Sequence, residues 1–227
     1  MLWYKGWLET RFRLVFVLVV IAFMFIAQSS GGSKVDLRPT FFFAGMAVWM
    51  ICVFVAAAGM VTQQSLQAAK GLHGSTLFTL SLPVTRLRLL AVRAGLGWLE
   101  MAVGVATICC LLWFLFPAIR GMTTRREMAE FAAVLIVCGS AFYCITVLLS
   151  VFLDDLWRVW GSFICYGAIW WLSDKIHLPA SFNPFVAMGD GSPVYTHAMP
   201  WTAMASSLGV AIMLLFAALK VAEAREY

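Results

Sequence analysis

Runs of about twenty apolar residues recur along this chain, and such runs have few places to go. A helix needs about 20 residues, at roughly 1.5 Å each, to cross a hydrocarbon core roughly 30 Å thick. Inside lipid no water satisfies the peptide groups, so a crossing segment must be a helix or belong to a closed barrel. The alternating strand patterns of about ten residues that mark a barrel are absent. Composition agrees, with 63% of residues hydrophobic and 12% charged, against roughly 25% charged in an ordinary soluble domain. The expected fold is all-α and membrane-integral, a single transmembrane domain over residues 1–227.

Six crossings are expected, at 14–28, 41–61, 94–117, 131–153, 157–173 and 201–219. The first, followed by "AQSSGG", has the outline of a secretory signal. Its leading segment argues otherwise, being long and carrying Trp3, Tyr4, Trp7 and Glu9. Within residues 1–13, Lys5, Glu9 and Arg13 recur every four positions while Trp3 and Trp7 share another stripe, the pattern of an amphipathic helix lying along the interface.

An even number of crossings puts both termini on one side. That side then holds ten of the sixteen Lys and Arg residues, among them Arg11, Lys70, Arg88, Arg158 and Lys220, and the other side holds six. Basic residues favour the cytoplasmic side, so both termini are expected there, in a multi-pass protein of the plasma membrane. The formal net charge of +5 is explained by basic flanks facing anionic lipid and calls for no nucleic acid. Trp113, Trp170, Trp171 and Trp201 fall near outer ends of crossings, and Trp157 and Trp160 near an inner one, as interfacial anchors do.

The side chains that carry chemistry are sparse. All six cysteines fall inside expected crossings with no C-x-x-C spacing, and are read as small packing residues. His177, His197, Asp174 and Asp190 share an outer region, but their spacing fits no ligand motif, so a solvated loop is expected there and no metal. No H-E-x-x-H or G-x-S-x-G is present, and no crossing contains a histidine to serve a nucleophilic serine. The phosphate-binding G-x-x-x-x-G-K-[ST] is missing too; "SSGGSK" at 29–34 shares only a faint likeness to it. The longest connection, near 30 residues, is shorter than the roughly 50 a domain needs. No catalytic residue is therefore assigned, and an energy source has to be a separate subunit.

The least membrane-like part of the chain is "KGLHGSTLFTLSLPVTRLRLLAVR", residues 70–93. Gly71 and Gly74 loosen the helix that arrives from the second crossing. Ser75 can cap a short element carrying Leu77, Phe78 and Leu80. Pro83 ends it, and Thr85 can cap the helix that follows, with Arg86, Arg88 and Arg93 leading down to the third crossing. The result is a helix-turn-helix knob, within a cytoplasmic loop over 62–93, that presents leucines. Such a knob either packs on its own helices or on lipid, or docks in a partner's groove through its apolar anchors.

"GSTLFTLSLPVTRLRLL" resembles the cytoplasmic loop of type-2 ABC transporter permeases, in which a Gly-Thr-Leu step, a Leu-Ser-Leu-Pro turn and a following Arg join the second and third spans. Six spans, an amphipathic N-terminal helix and "NPF" at 183–185 before the last span are similar to the same family, so the resemblance covers nearly the whole chain. It implies that the knob is a coupling helix seated on a separate ATP-binding subunit, contacted through Gly74, Thr76, Leu77, Leu80, Leu82, Pro83 and Arg86. It further implies two copies of that ATPase, which bind the ATP and Mg, and a second permease subunit, identical or not, that completes the path. This chain departs from the family where many relatives carry acids before the Gly-Thr step: Lys70 and His73 stand there, and Ser75 intervenes. Salt bridges made by those acids are not carried over.

Glu100 is the one acid well inside a crossing. Burying it in lipid costs on the order of 2.5–3.5 kcal/mol, so it should face protein or water, either paired structurally with an arginine or lining a path. The outer segment 174–200 is too long for a simple turn and rich in Pro, Gly and aromatics. The resemblance implies short helices there that dip back over the path. Phe182, Phe185 and Val186 either gate it from outside or rest on the bilayer. Small residues at helical spacing, Ala102 with Ala106 and Ala205 with Gly209, would permit close helix packing. The expected function is the permease subunit of an ABC exporter, moving a hydrophobic or amphipathic substrate by ATP-driven alternating access. The alternative is a membrane anchor that docks a cytoplasmic partner and moves nothing.

Overall fold

The computed structural model of the protein describes residues 15, 19, 37–59, 86–153 and 155–224. Helices dominate them, with turns between and no strand. In chain order they are α1 (Leu37–Gly59), α2 (Arg86–Leu115), α3 (Pro117–Met122), α4 (Arg125–Phe152), α5 (Asp155–Lys175), α6 (Pro184–Met188), α7 (Pro193–Thr196) and α8 (Trp201–Ala224). The described part of the protein is thus all-helical. Among the described residues three stretches are long and apolar enough to cross a membrane: Leu90–Leu115 of α2, and the whole of α4 and α8. The expected crossing at 41–61 falls on α1, where Ala44–Ala56 forms a shorter apolar stretch. The one at 157–173 falls on α5, whose ends carry Arg158, Asp174 and Lys175. The expected interfacial helix 1–13, the crossing 14–28 and the knob itself lie outside the described residues, apart from Val15 and Val19, which are helical and exposed.

Local sequence explains where helices start and stop. α2 ends at Leu115, short of the expected 117, because Pro117 disfavours helical backbone in the residue before it, and Phe116 sits at φ −112°, ψ 95°. Pro117 then opens α3 at a position where a missing N–H costs nothing. Thr124 starts α4 through a reciprocal capping box: its hydroxyl accepts from the Glu127 N–H at 3.2 Å, and its own N–H donates to Glu127 Oε2 at 2.6 Å.

α4 is the spindle of the bundle. It packs against α8, α1, α2 and α5, and also meets α6 and α7. Its most apolar window is 61% buried, against 39% for α2 and 28% for α8, so of these three α4 is the most enclosed by protein. α8 lies close along it because Ala203, Ser207, Ala211, Ala218 and Ala222 form a buried stripe of small side chains. The opposite face of α8 exposes Leu208, Ile212, Met213 and Phe216. Ala205 and Gly209, expected to mediate close packing, are exposed on α8, and Ala106 is exposed on α2. The close approaches occur elsewhere. A Cβ at Gly139 of α4 would lie 3.0 Å from Val48 of α1, and Cys52 Sγ stands 3.4 Å from the Gly139 carbonyl. A Cβ at Gly97 of α2 would collide with the Tyr143 hydroxyl.

Several polar groups inside these helices are satisfied at short range, as a dry interior favours. Ser140, Ser162 and Ser173 donate to the carbonyls four residues back, at 2.7, 2.8 and 2.7 Å. Three hydrogen-bonding side chains also stitch helices together. Tyr143 Oη donates to the Ala94 carbonyl at 2.8 Å, joining α4 to α2, and Trp98 Nε1 donates to Ser140 Oγ at 2.8 Å. Tyr166 Oη donates to the Phe142 carbonyl at 2.6 Å, joining α5 to α4. Thr146 Oγ1 shares a 2.5 Å hydrogen bond with the same Tyr166 hydroxyl.

At one end of the bundle gather the start of α1, the end of α2, the start of α4, the end of α5 and the start of α8, together with residues 176–200. The opposite end holds the end of α1 and the start of α2, which residues 60–85 connect. Arg158, counted in the sequence as a loop charge of that end, is instead on α5 and only 1% exposed.

Gly97→Ala is expected to destabilise the fold by roughly 1–3 kcal/mol, the range for forced overpacking. Tyr143→Phe should cost about 1 kcal/mol through the lost hydrogen bond. In the Tyr143→Phe background the Gly97→Ala penalty should shrink, because the colliding hydroxyl is gone and the next ring atom lies at 3.3 Å. A double-mutant cycle followed by thermal unfolding in detergent reads this coupling.

Candidate functional site at the cavity end

The segment between α5 and α8 is built as tightly as the helices it joins. Asn183, buried, turns its Oδ1 to the Phe185 N–H at 3.0 Å and so caps α6, while Pro184 fills the first helical position. The chain then folds back on itself, with the Gly191 N–H donating to the Val186 carbonyl at 2.8 Å. A Cβ at Gly191 would stand 3.0 Å from that same carbonyl oxygen, so the turn requires glycine. α7 ends at His197, which takes the left-handed conformation (φ 52°, ψ 20°). Two contacts pin this segment to the long helices. His197 Nδ1 lies 2.6 Å from Glu127 Oε1, on the carboxylate that also closes the α4 capping box, and Thr202 Oγ1 donates to the Ser181 carbonyl at 2.6 Å.

Under this segment lies a cavity of about 420 Å³, walled by α1 (Gly45, Met46, Trp49), the last turns of α5 (Trp170, Asp174) and residues 183–195. Its floor is aromatic. Trp49 packs edge-on to Phe185 with centroids 5.3 Å apart, and both rest on Phe142 of α4, at 5.7 and 5.3 Å. Tyr166 of α5 completes the cluster, 5.1 Å from Phe142 and 6.1 Å from Trp49. Such edge-to-face pairs stabilise by about 0.5–1.5 kcal/mol each beyond the area they bury. Four elements therefore hold the floor rigid. The Trp49 indole N–H is buried with no hydrogen-bond partner among the described residues. At the rim, Asp174 and Asp190 are exposed, and among the described residues no Lys or Arg lines the cavity.

The residues singled out from sequence scatter. Phe185 and Val186 line the cavity, whereas Phe182 is 50% exposed and outside its lining. Glu100 is 3% exposed, facing protein on α2, and is absent from the cavity wall. Arg86 opens α2 at the opposite end, and Gly74, Thr76, Leu77, Leu80, Leu82 and Pro83 lie outside the described residues. The histidine and aspartate quartet divides: His197 engages Glu127, and Asp174 and Asp190 go to the rim. Among the described residues no three His, Cys, Asp or Glu side chains gather as a metal site would require. Sequence reading missed Trp49, Trp170 and Tyr195. Trp49 carried one signal, an indole well inside an apolar run with Gly45 one turn before it. Comparison with protein-family models, curated proteins and solved structures returns no match.

His197→Ala should release residues 193–199 from α4. Amide exchange there is expected to rise several-fold, while global melting shifts little because an exposed pair contributes at most about 1 kcal/mol. Hydrogen exchange read by mass spectrometry, beside a thermal melt, checks both.

Proposed function

We propose that the chain is the membrane-spanning subunit of an ABC transporter of the exporter class. It crosses the plasma membrane six times with both termini in the cytoplasm, and pairs with a second permease subunit above two copies of a separate ATPase. The observation that carries this reading is the sequence "GSTLFTLSLPVTR" at 74–86, which joins α1 to α2 and resembles the coupling loop of that family. The bundle is compatible with it. The end of α1 and the start of α2, which flank the loop, face away from the cavity, so docking and cavity fall at opposite ends. With Arg86, Arg88 and Arg93 in the first turns of α2, the loop end is also basic, as cytoplasmic flanks are.

In this reading Leu77, Leu80 and Leu82 seat in an apolar groove of the ATPase, which binds ATP and Mg. Closure of two ATPases then rocks the two permease halves, and the path between them, carrying a hydrophobic or amphipathic substrate, opens to the other side. The chain itself performs no catalysis.

Purification of the tagged chain from its native membrane in mild detergent is expected to bring down a protein with a phosphate-binding loop. ATP hydrolysis by the reconstituted complex should rise with the transported solute. Leu77→Asp with Leu80→Asp puts charge into the proposed contact and should weaken it by about 2 kcal/mol or more, roughly 30-fold in affinity. Coupled flux should fall with it while the melting temperature of the permease holds. Partner binding with no coupled flux would instead favour the membrane anchor.

A further inference from the structure

The cavity end holds a combination that neither packing nor coupling to an ATPase explains. Trp49 and Phe185 form a rigid floor, Trp170 and Tyr195 stand on the walls, and Asp174 and Asp190 sit at the rim. The two carboxylates make no ion pair or side-chain hydrogen bond among the described residues, and Lys175, next in sequence to Asp174, is not part of the lining. Aromatic faces attract cations through their quadrupoles, and a carboxylate nearby adds charge without closing the site. A volume of about 420 Å³ falls in the usual range of roughly 300–1,000 Å³ for small-molecule sites.

From these we infer that the cavity is a binding site for a small organic cation, a quaternary or protonated amine carrying an aromatic or apolar body. The ammonium head lies between the rim carboxylates and the ring faces, and the body rests on the Trp49 and Phe185 floor. A bare metal ion is disfavoured, because the lining offers ring faces where a hard cation needs converging oxygens. A lipid tail gains nothing from two carboxylates. A small anion meets two negative charges and, among the described residues of the lining, no basic side chain.

The test is binding by the full chain in phosphatidylcholine nanodiscs, read by isothermal titration calorimetry with benzyltrimethylammonium as the probe. The expected result is saturable one-to-one binding, at least tenfold weaker in the Asp174→Asn, Asp190→Asn double variant, with benzenesulfonate not bound. Trp170 is 54% exposed, so changing it removes little of the core packing. Trp170→Phe should keep most of the affinity and Trp170→Leu lose it, which separates ring-face recognition from simple apolar filling. Absence of saturable cation binding, equal binding of the sulfonate, or unchanged affinity in the double aspartate variant each overturns the inference. Because binding is read on this chain alone, a negative result leaves the ABC reading standing. A failed ATPase pull-down likewise leaves this site standing.

Discussion

Hydrogen bonds within and between the long helices tie this bundle together, and much of the architecture is organised around them. Serines along α4 and α5 return their hydroxyl protons to their own helix at 2.7–2.8 Å. Tyr143 and Tyr166 instead reach across to backbone carbonyls of neighbouring helices. Because α4 contributes to both tyrosine bonds and meets all the other long helices, its removal would leave α2 and α5 without their hydrogen-bonded tethers. Apolar burial alone does not fix a register in lipid, where solvent and side chains are equally greasy. The tyrosine bonds and the glycine contacts at Gly97 and Gly139 supply that register.

The same logic separates the two ends of the molecule. Where the helices emerge beside residues 176–200, water is near and polar contacts become denser: a capping box, a histidine–carboxylate contact and an asparagine cap within a short stretch of chain. These contacts hold the roof of the cavity while the aromatic cluster holds its floor. The cavity is therefore held from both sides, with aromatic rings at its floor and the exposed Asp174 and Asp190 at its rim.

Fold class was open to reading from the sequence because long apolar runs admit so few structures. The break at Phe116 and Pro117 and the capping box at Thr124 were equally visible in principle, being local rules with one strong residue each. Helix faces were harder. Ala205 with Gly209 and the stripe from Ala203 to Ala222 share one helix and similar spacing, yet only the second is buried. In an apolar helix there is no polar face to say which side turns inward, so the amphipathic signal that orients a soluble helix is missing. Of the cavity, "NPF" drew attention to Asn183 and Phe185. Trp49, Trp170 and Tyr195 come from segments far apart in the chain, and only tertiary packing brings them to one place.

α2 is 30 residues long, about 45 Å, and the Tyr143 bond clasps it at Ala94, well toward one end. About 12 Å of rod then lies on the side of Arg86 and about 32 Å on the side of Leu115. The longer side is bound further by Trp98 on Ser140 and by the fully buried Met101, Val105, Ile108 and Leu112, so α2 is anchored along it toward its far tip. There the chain runs through α3 into the Thr124 cap and the carboxylate that grips His197. Ala94 thus divides α2 into a short arm on the Arg86 side and a long, firmly packed one that runs to the roof of the cavity.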